Sequence, residues 1–190
     1  MAVRRTLRSW FRRFRAAEGG VAAVEFAMVL PIMLLLYIGM VETTTLISLD
    51  RKIQTVSGAV GDLVARSNGV ISPGAMDNYV KVAAGIMTPY ASNDLVQTVT
   101  QVYVDGTGKP TVEWSRRYSG ETLQNTGAHV KGAIYPLPDK VVAIATGEYV
   151  IVTETTLPYP PLFGLVSSLP VNLYRENFFM PRFREKIDLK

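Results

Sequence analysis

GVAAVEFAMVLPIMLLLYIGMV, residues 20–41, is an apolar run that admits one charged residue, Glu25, close to its start. At about 1.5 Å of rise per residue, the roughly 21 residues from Val21 to Val41 reach about 30 Å as a helix, the thickness of a bilayer's hydrocarbon core. The stretch therefore reads as a single membrane span. Arg4, Arg5, Arg8, Arg12, Arg13 and Arg15 crowd the segment before it, and only Glu18 offsets them there. Positive residues flanking a span stay on the cytoplasmic side, so everything after about Leu46 is expected across the membrane. The layout that follows is a basic cytoplasmic leader at 1–20, a transmembrane helix at 21–47 and an extracytoplasmic domain at 48–190.

The formal net charge of +4 invites a nucleic-acid reading, but its location argues otherwise. Residues 1–20 carry six Arg against one Glu, about +5, which leaves about −1 for the remainder. The charge explains topology and supports no phosphate-binding face, so no nucleic-acid partner is expected. With no cysteine in the chain, disulfides, thiol catalysis and Cys-ligated metal are excluded. The single histidine, His129, falls in the polar stretch Gly120 to Gly132 and reads as a loop residue. No cofactor is expected.

The leader places Leu7, Trp10, Phe11 and Phe14 between its arginines, a pattern suited to a basic helical face at a lipid headgroup surface. Its Arg4-Arg5 and Arg12-Arg13 pairs lack a wider twin-arginine context. A cleaved secretory signal also fits poorly, because its apolar region is about 7 to 15 residues and ends in a small-x-small site. Glu25 is the informative residue inside the span: a carboxylate costs about 2.5 kcal/mol or more at the bilayer centre and less toward an interface. Either it sits wet at the headgroup level, or it takes a cationic partner, which the leader does not supply once removed.

Beyond the span, Leu49, Ile53, Val56, Val60, Leu63 and Val64 recur at steps of three and four, with Asp50, Arg51, Lys52, Gln54 and Asp62 between them. That periodicity predicts an amphipathic helix continuing the span, weakened at Gly58 and Gly61 and ended by Ser67-Asn68-Gly69. The alternative is two helices broken near Thr43 to Ser48. Ser72-Pro73 opens a second helix to about Met87, with Met76, Tyr79, Val80, Ala83, Ile86 and Met87 as its buried stripe and Pro89 as its stop. Leu95 to Val104 and Thr111 to Tyr118 read as strands joined by a turn at 105–110. GTGK in that turn lacks the Ser or Thr and the earlier Gly of a phosphate loop. Gly120 to Gly132 reads as an irregular loop and Lys140 to Leu157 as the best strand, bent at Gly147. Pro158 to Pro161 breaks that strand, a short helical turn follows at Leu162 to Leu169, and Val171 to Phe183 is the last strand.

Gly20, Val21 and Glu25-Phe26 behind an Arg-rich leader resemble a type IV prepilin processing site, with a Gly before the scissile bond and an acidic residue five after it. The wider string from Gly20 to Pro31, with Gly39, Glu42 and Val64-Ala65-Arg66, resembles the TadE-like family of tight-adherence (Flp) pilus assembly proteins. The resemblance covers residues 19 to 66, and Pro181-Arg182 is similar to a Pro-Arg pair in such proteins. The long leader and the doubled Gly19-Gly20 depart from the usual pattern.

What the resemblance implies is a minor pilin or pseudopilin at the bacterial inner membrane. A prepilin peptidase would cut after Gly20, leaving Val21 as the new terminus. Glu25 would then meet the Val21 amine of a neighbouring subunit and set register, beside Phe26, while Pro31 would let the helix kink or locally melt. Implied partners are the prepilin peptidase, other minor pilins, the major Flp pilin, the inner-membrane assembly platform and membrane lipid. The competing reading is an unprocessed single-pass envelope protein whose periplasmic domain binds a partner. Glu148, Glu154, Asp139 and Asp105 read as solvated carboxylates with no catalytic spacing, so no enzyme is expected. The expected fold is α+β: an N-terminal transmembrane helix running into a long amphipathic helix, a second helix, and an antiparallel sheet of about four strands.

Overall fold

A computed structural model describes residues 19–124, 129–161 and 170–190. The expectations for the leader before residue 19 and for a helical turn at Leu162 to Leu169 lie outside the described residues. The chain divides into two units, Met1–Thr44 and Thr45–Lys190. One α-helix, α1 (Gly19–Ala65, 47 residues), crosses that division, so the continuous-helix alternative holds and there is no break near Thr43 to Ser48. It also passes through Pro31 without interruption, where a melted turn was an expected possibility. One missing hydrogen bond does not undo a helix propagated cooperatively from full turns on both sides.

In the Thr45–Lys190 unit, α1 buries the stripe its periodicity predicts: Leu49, Ile53, Val56, Val60 and Val64 are all in the core, with Leu63 half-buried at the margin. A short parallel pair follows, β1 (Val70–Ile71) with β7 (Asp188–Leu189). It ties the C-terminal tail to the connection between the helices, and Arg182 N–H caps α1 by donating to Ala65 O at 2.8 Å. The second helix, α2 (Pro73–Gly85), starts where Ser72-Pro73 predicts, with Ala75 N–H donating to Ser72 Oγ at 3.2 Å. Lys52 of α1 donates to the carbonyls of Ile86 and Thr88 at 2.8 and 2.7 Å, placing a cation at the end of α2 where the helix dipole favours one.

The sheet has five antiparallel strands, one more than expected, in the order β4-β3-β2-β5-β6. These are β2 (Val96–Val104), β3 (Pro110–Ser119), β4 (Thr122–Gln124), β5 (Tyr149–Tyr159) and β6 (Val171–Phe179). The added strand, β4, lies inside the stretch expected to be an irregular loop. In the β2–β3 turn, Asp105 accepts from the backbone N–H groups of Thr107 and Lys109, both at 2.9 Å. Those amides close a turn around a carboxylate, and these hydrogen bonds hold the Asp105 carboxyl below its ordinary value, that from the Thr107 side chain most.

The expected strand from Lys140 is half helix: α3 (Asp139–Ala145) precedes β5, and Gly147, at φ +83°, makes the turn between them. A short apolar run such as VVAIA carries no decisive period. Here Pro138 and Asp139 favour a helix start, and Gly147 takes a conformation that L-residues avoid. Nor do the prolines end β5 at Leu157. Pro158 pairs in register with Asn172 of β6, and the strand tolerates it because β2 pairing stops at Thr156.

Two apolar clusters lie on opposite faces of the sheet. The inner face carries Val99, Tyr118, Ile151, Leu157 and Leu173 against α1 and α2. The outer face carries Val102, Val112, Val150 and Val152 under Tyr135, Leu137 and Ala145. Buried Ser57 of α1 and Thr153 of β5 exchange side-chain to carbonyl hydrogen bonds, each 2.9 Å, which fixes the helix on the sheet.

The two glycines that weaken the helix differ in reason. A Cβ at Gly61 would stand 2.3 Å from the Phe179 ring, whereas one at Gly58 meets nothing within 4 Å. Gly58→Ala should therefore raise domain stability by about 0.5–1 kcal/mol through helix propensity. Gly61→Ala should lower it, since overpacking costs about 1–3 kcal/mol against a similar propensity gain. Paired thermal melts check the opposite signs.

Candidate functional site

The Met1–Thr44 unit shows why residues 20–41 matter. Leu, Met and Ala favour a helix, and here apolar side chains surround it on every side. Val21, Val24, Phe26, Met28, Leu34, Leu36 and Met40 are all exposed, and no residue in the most apolar 18-residue window is buried. A helix apolar all round belongs in a membrane or against other helices. This is the one helix among the described residues that is long and apolar enough to cross a bilayer.

The Gly20–Val21 bond lies in α1, at the start of its described residues. Gly20 is exposed and a Cβ there would meet nothing within 4 Å, so packing does not require glycine, which costs a helix interior about 1 kcal/mol relative to Ala. Gly39 is equally open. Val21 and Glu25 are four residues apart and share a face. Glu25 is exposed and has no hydrogen-bond or ion-pair partner among the described residues. Phe26 is exposed beside it and Pro31 lies between one and two turns further along. Glu42, in the same unit, is 5 % exposed, and neither of its carboxylate oxygens has a partner among the described residues.

The domain's polar side chains are less solvated than their sequence context suggests. His129 is half-buried, with Nε2 2.6 Å from Glu154 Oε2, and Tyr174 O–H donates to Glu154 Oε1 at 3.0 Å. Glu176, which spacing did not single out, accepts from Tyr135 O–H at 2.6 Å. The signal that finds Glu176 is strand alternation: β5 and β6 place Glu154 and Glu176 at opposed positions. Among the described residues no group of three or more His, Asp or Glu is arranged to hold a metal ion.

Residues 20–60 match the family model described as TadE-like protein. The matched segment begins at the exposed apolar turns and ends within the part of α1 that enters the domain core. The chain shows no significant match to a curated protein or to a solved structure.

Proposed function

We propose that this chain, with its TadE-like segment at 20–60, is a minor pilin or pseudopilin that takes part in assembling a tight-adherence pilus. The observation that carries the reading is a coincidence of place. The family match begins at Gly20, the first turns beyond it are apolar on every side, and their one carboxylate stands a single turn after Val21. In this reading α1 crosses the inner membrane with the leader in the cytoplasm and the Thr45–Lys190 unit in the periplasm.

The chemistry follows from the helix end. The prepilin peptidase cleaves Gly20–Val21, which creates an α-amine at the new N-terminus of the helix, where the backbone dipole is positive. A positive amine and the Glu25 carboxylate are each costly in apolar surroundings, and together they neutralise. Packed helices satisfy both when Glu25 of one subunit meets the Val21 amine of the next. That pairing fixes axial register, Phe26 and its neighbours supply the apolar contact, and Pro31 lets the helix adapt its curvature. The prepilin peptidase, other minor pilins, the major pilin and the assembly platform are the corresponding partners.

Gly20→Phe tests the processing site, because a bulky side chain replaces the open Gly while the rest of the span is untouched. The expected product keeps residues 1–20. A chain beginning at Val21 in that variant, or at residue 20 through cleavage after Gly19, would contradict the assignment.

A further inference from the structure

The two edges of the five-stranded sheet are finished differently. On the β3 side, the three-residue β4 and the segment 132–135 take up free backbone groups: Gly132 N–H donates to Val112 O at 2.7 Å and Tyr135 N–H to Pro110 O at 3.1 Å. On the other side β6 stands last in the order and pairs only with β5. Its nine residues run in one unbroken register from Val171 to Phe179, and its far side has no backbone partner among the described residues. A long, regular edge strand is a template for another strand, and native sheets blunt such edges with Lys, Pro or a bulge. β6 has none of these, and its one cation, Arg175, is held on the inner face by Asp50.

The outer face beside this edge carries charge and an apolar groove in alternate positions. Thr153 of β5 turns inward to α1, so Val152 and Glu154 turn outward, opposite Phe178 and Glu176 of β6. Glu154 and Glu176 are like charges at opposed positions, which destabilises a strand pair, and no Lys or Arg among the described residues forms an ion pair with either. Burial first, and then the charge of Glu154, push the Glu176 carboxyl above its ordinary value, against the pull of the Tyr135 hydrogen bond and His129. That is the direction of a carboxylate short of a cation. Beside Phe178, a groove of about 170 Å³ lies between α3 and the end of β6, lined by Val141, Ile144, Ala145, Phe178 and Met180. Ile144 in that lining is 73 % exposed.

We infer that β6 is a docking edge for an extended segment of another protein, which adds antiparallel as a sixth strand, with a Lys or Arg opposite Glu176 and, two residues before it, an aliphatic side chain opposite Phe178 that enters the α3–β6 groove. In such additions main-chain hydrogen bonds supply affinity and alternate side chains supply specificity. The direction follows the rest of the sheet, in which every neighbouring pair is antiparallel. Charge complementarity selects the occupant, because opposed side chains stand about 4.5–5.5 Å apart at Cβ and a cation there answers Glu176 directly and Glu154 across the sheet. A second copy of this chain fits worse. Two β6 strands in full antiparallel overlap put Arg175 opposite Arg175 and Glu176 opposite Tyr174, so the carboxylates gain no cation.

The test takes the purified full chain in detergent and a blocked, threonine-rich synthetic peptide in which a Leu precedes a Lys by two residues. Titration read by fluorescence anisotropy of the labelled peptide should give a Kd below about 1 mM. At saturating peptide, hydrogen exchange should show at least about threefold more protection over 171–179, with 122–124 unchanged. Replacing the peptide's Lys by Glu, or Ile144→Glu in the chain, should each weaken binding at least about tenfold. Glu176→Gln should reduce the preference for the Lys peptide over the Glu peptide at least about threefold. No binding at that concentration, equal binding of the two peptides, full affinity in Ile144→Glu, or protection away from β6 would overturn the proposal. So would protection of β6 that grows with the chain's own concentration in the absence of peptide, which would make a second copy the occupant. None of these outcomes depends on cleavage at Gly20, so this inference and the pilin reading can fail separately.

Discussion

Glu25→Gln is expected to leave the protein stable and in the membrane while pili are lost. Gln has nearly the same shape, and removing a charge from membrane depth lowers the cost of insertion, which for a carboxylate is about 2.5 kcal/mol or more at the bilayer centre. Protein level therefore should not fall. In the proposed packing, what disappears is the counter-charge for the neighbour's α-amine, and a buried charge stripped of its partner costs about 3–5 kcal/mol, a factor of at least about 100 at each subunit contact. Glu25 has no alternative partner among the described residues that could mask the effect. Immunoblotting of membranes together with counting of surface filaments reads both halves. Normal piliation in the variant would remove Glu25 from any role in register.

Ile53→Ala should cost the domain about 2–5 kcal/mol, the range for truncating a buried Ile where neighbours cannot collapse into the space. Ile53 is fully buried in the cluster that α1 forms with α2 and the sheet. Against a total stability of about 5–15 kcal/mol the loss is large enough to lower the melting transition by many degrees. Leu36→Ala, a comparable truncation 17 residues earlier on the same helix, removes an exposed side chain and should change domain stability by no more than about 0.5 kcal/mol. Thermal melts of the purified chains in detergent compare the two. Equal effects would mean that the two stretches of α1 do not divide the labour between membrane and core.

Legibility followed the range of the interactions involved. The α1 stripe and the Ser72-Pro73 helix start were readable because they rest on periodicity and a local cap, which neighbours in sequence determine. Val141 to Ala145 was not, because five apolar residues satisfy a strand and a helix turn alike, and the choice falls to Asp139, Gly147 and contact with the outer face of the sheet. β1 and β7 are two residues each and exist only through pairing across most of the chain. The need for Gly61 depends on Phe179, and Glu154 meets Glu176 only once β5 and β6 are in register. Gly20, Glu25 and Pro31 were singled out by resemblance to a family pattern, and they lie in the segment that matches the family model. The chemistry assigned to them requires a neighbouring subunit, which one chain does not contain.

The most direct measurement is the intact mass and N-terminal sequence of the protein extracted from its native membrane, with and without the prepilin peptidase. A chain beginning at Val21 only when the peptidase is present is the predicted result. A chain beginning at Met1 in both cases would contradict it, leaving an unprocessed membrane-tethered protein whose Glu25 has no α-amine to meet.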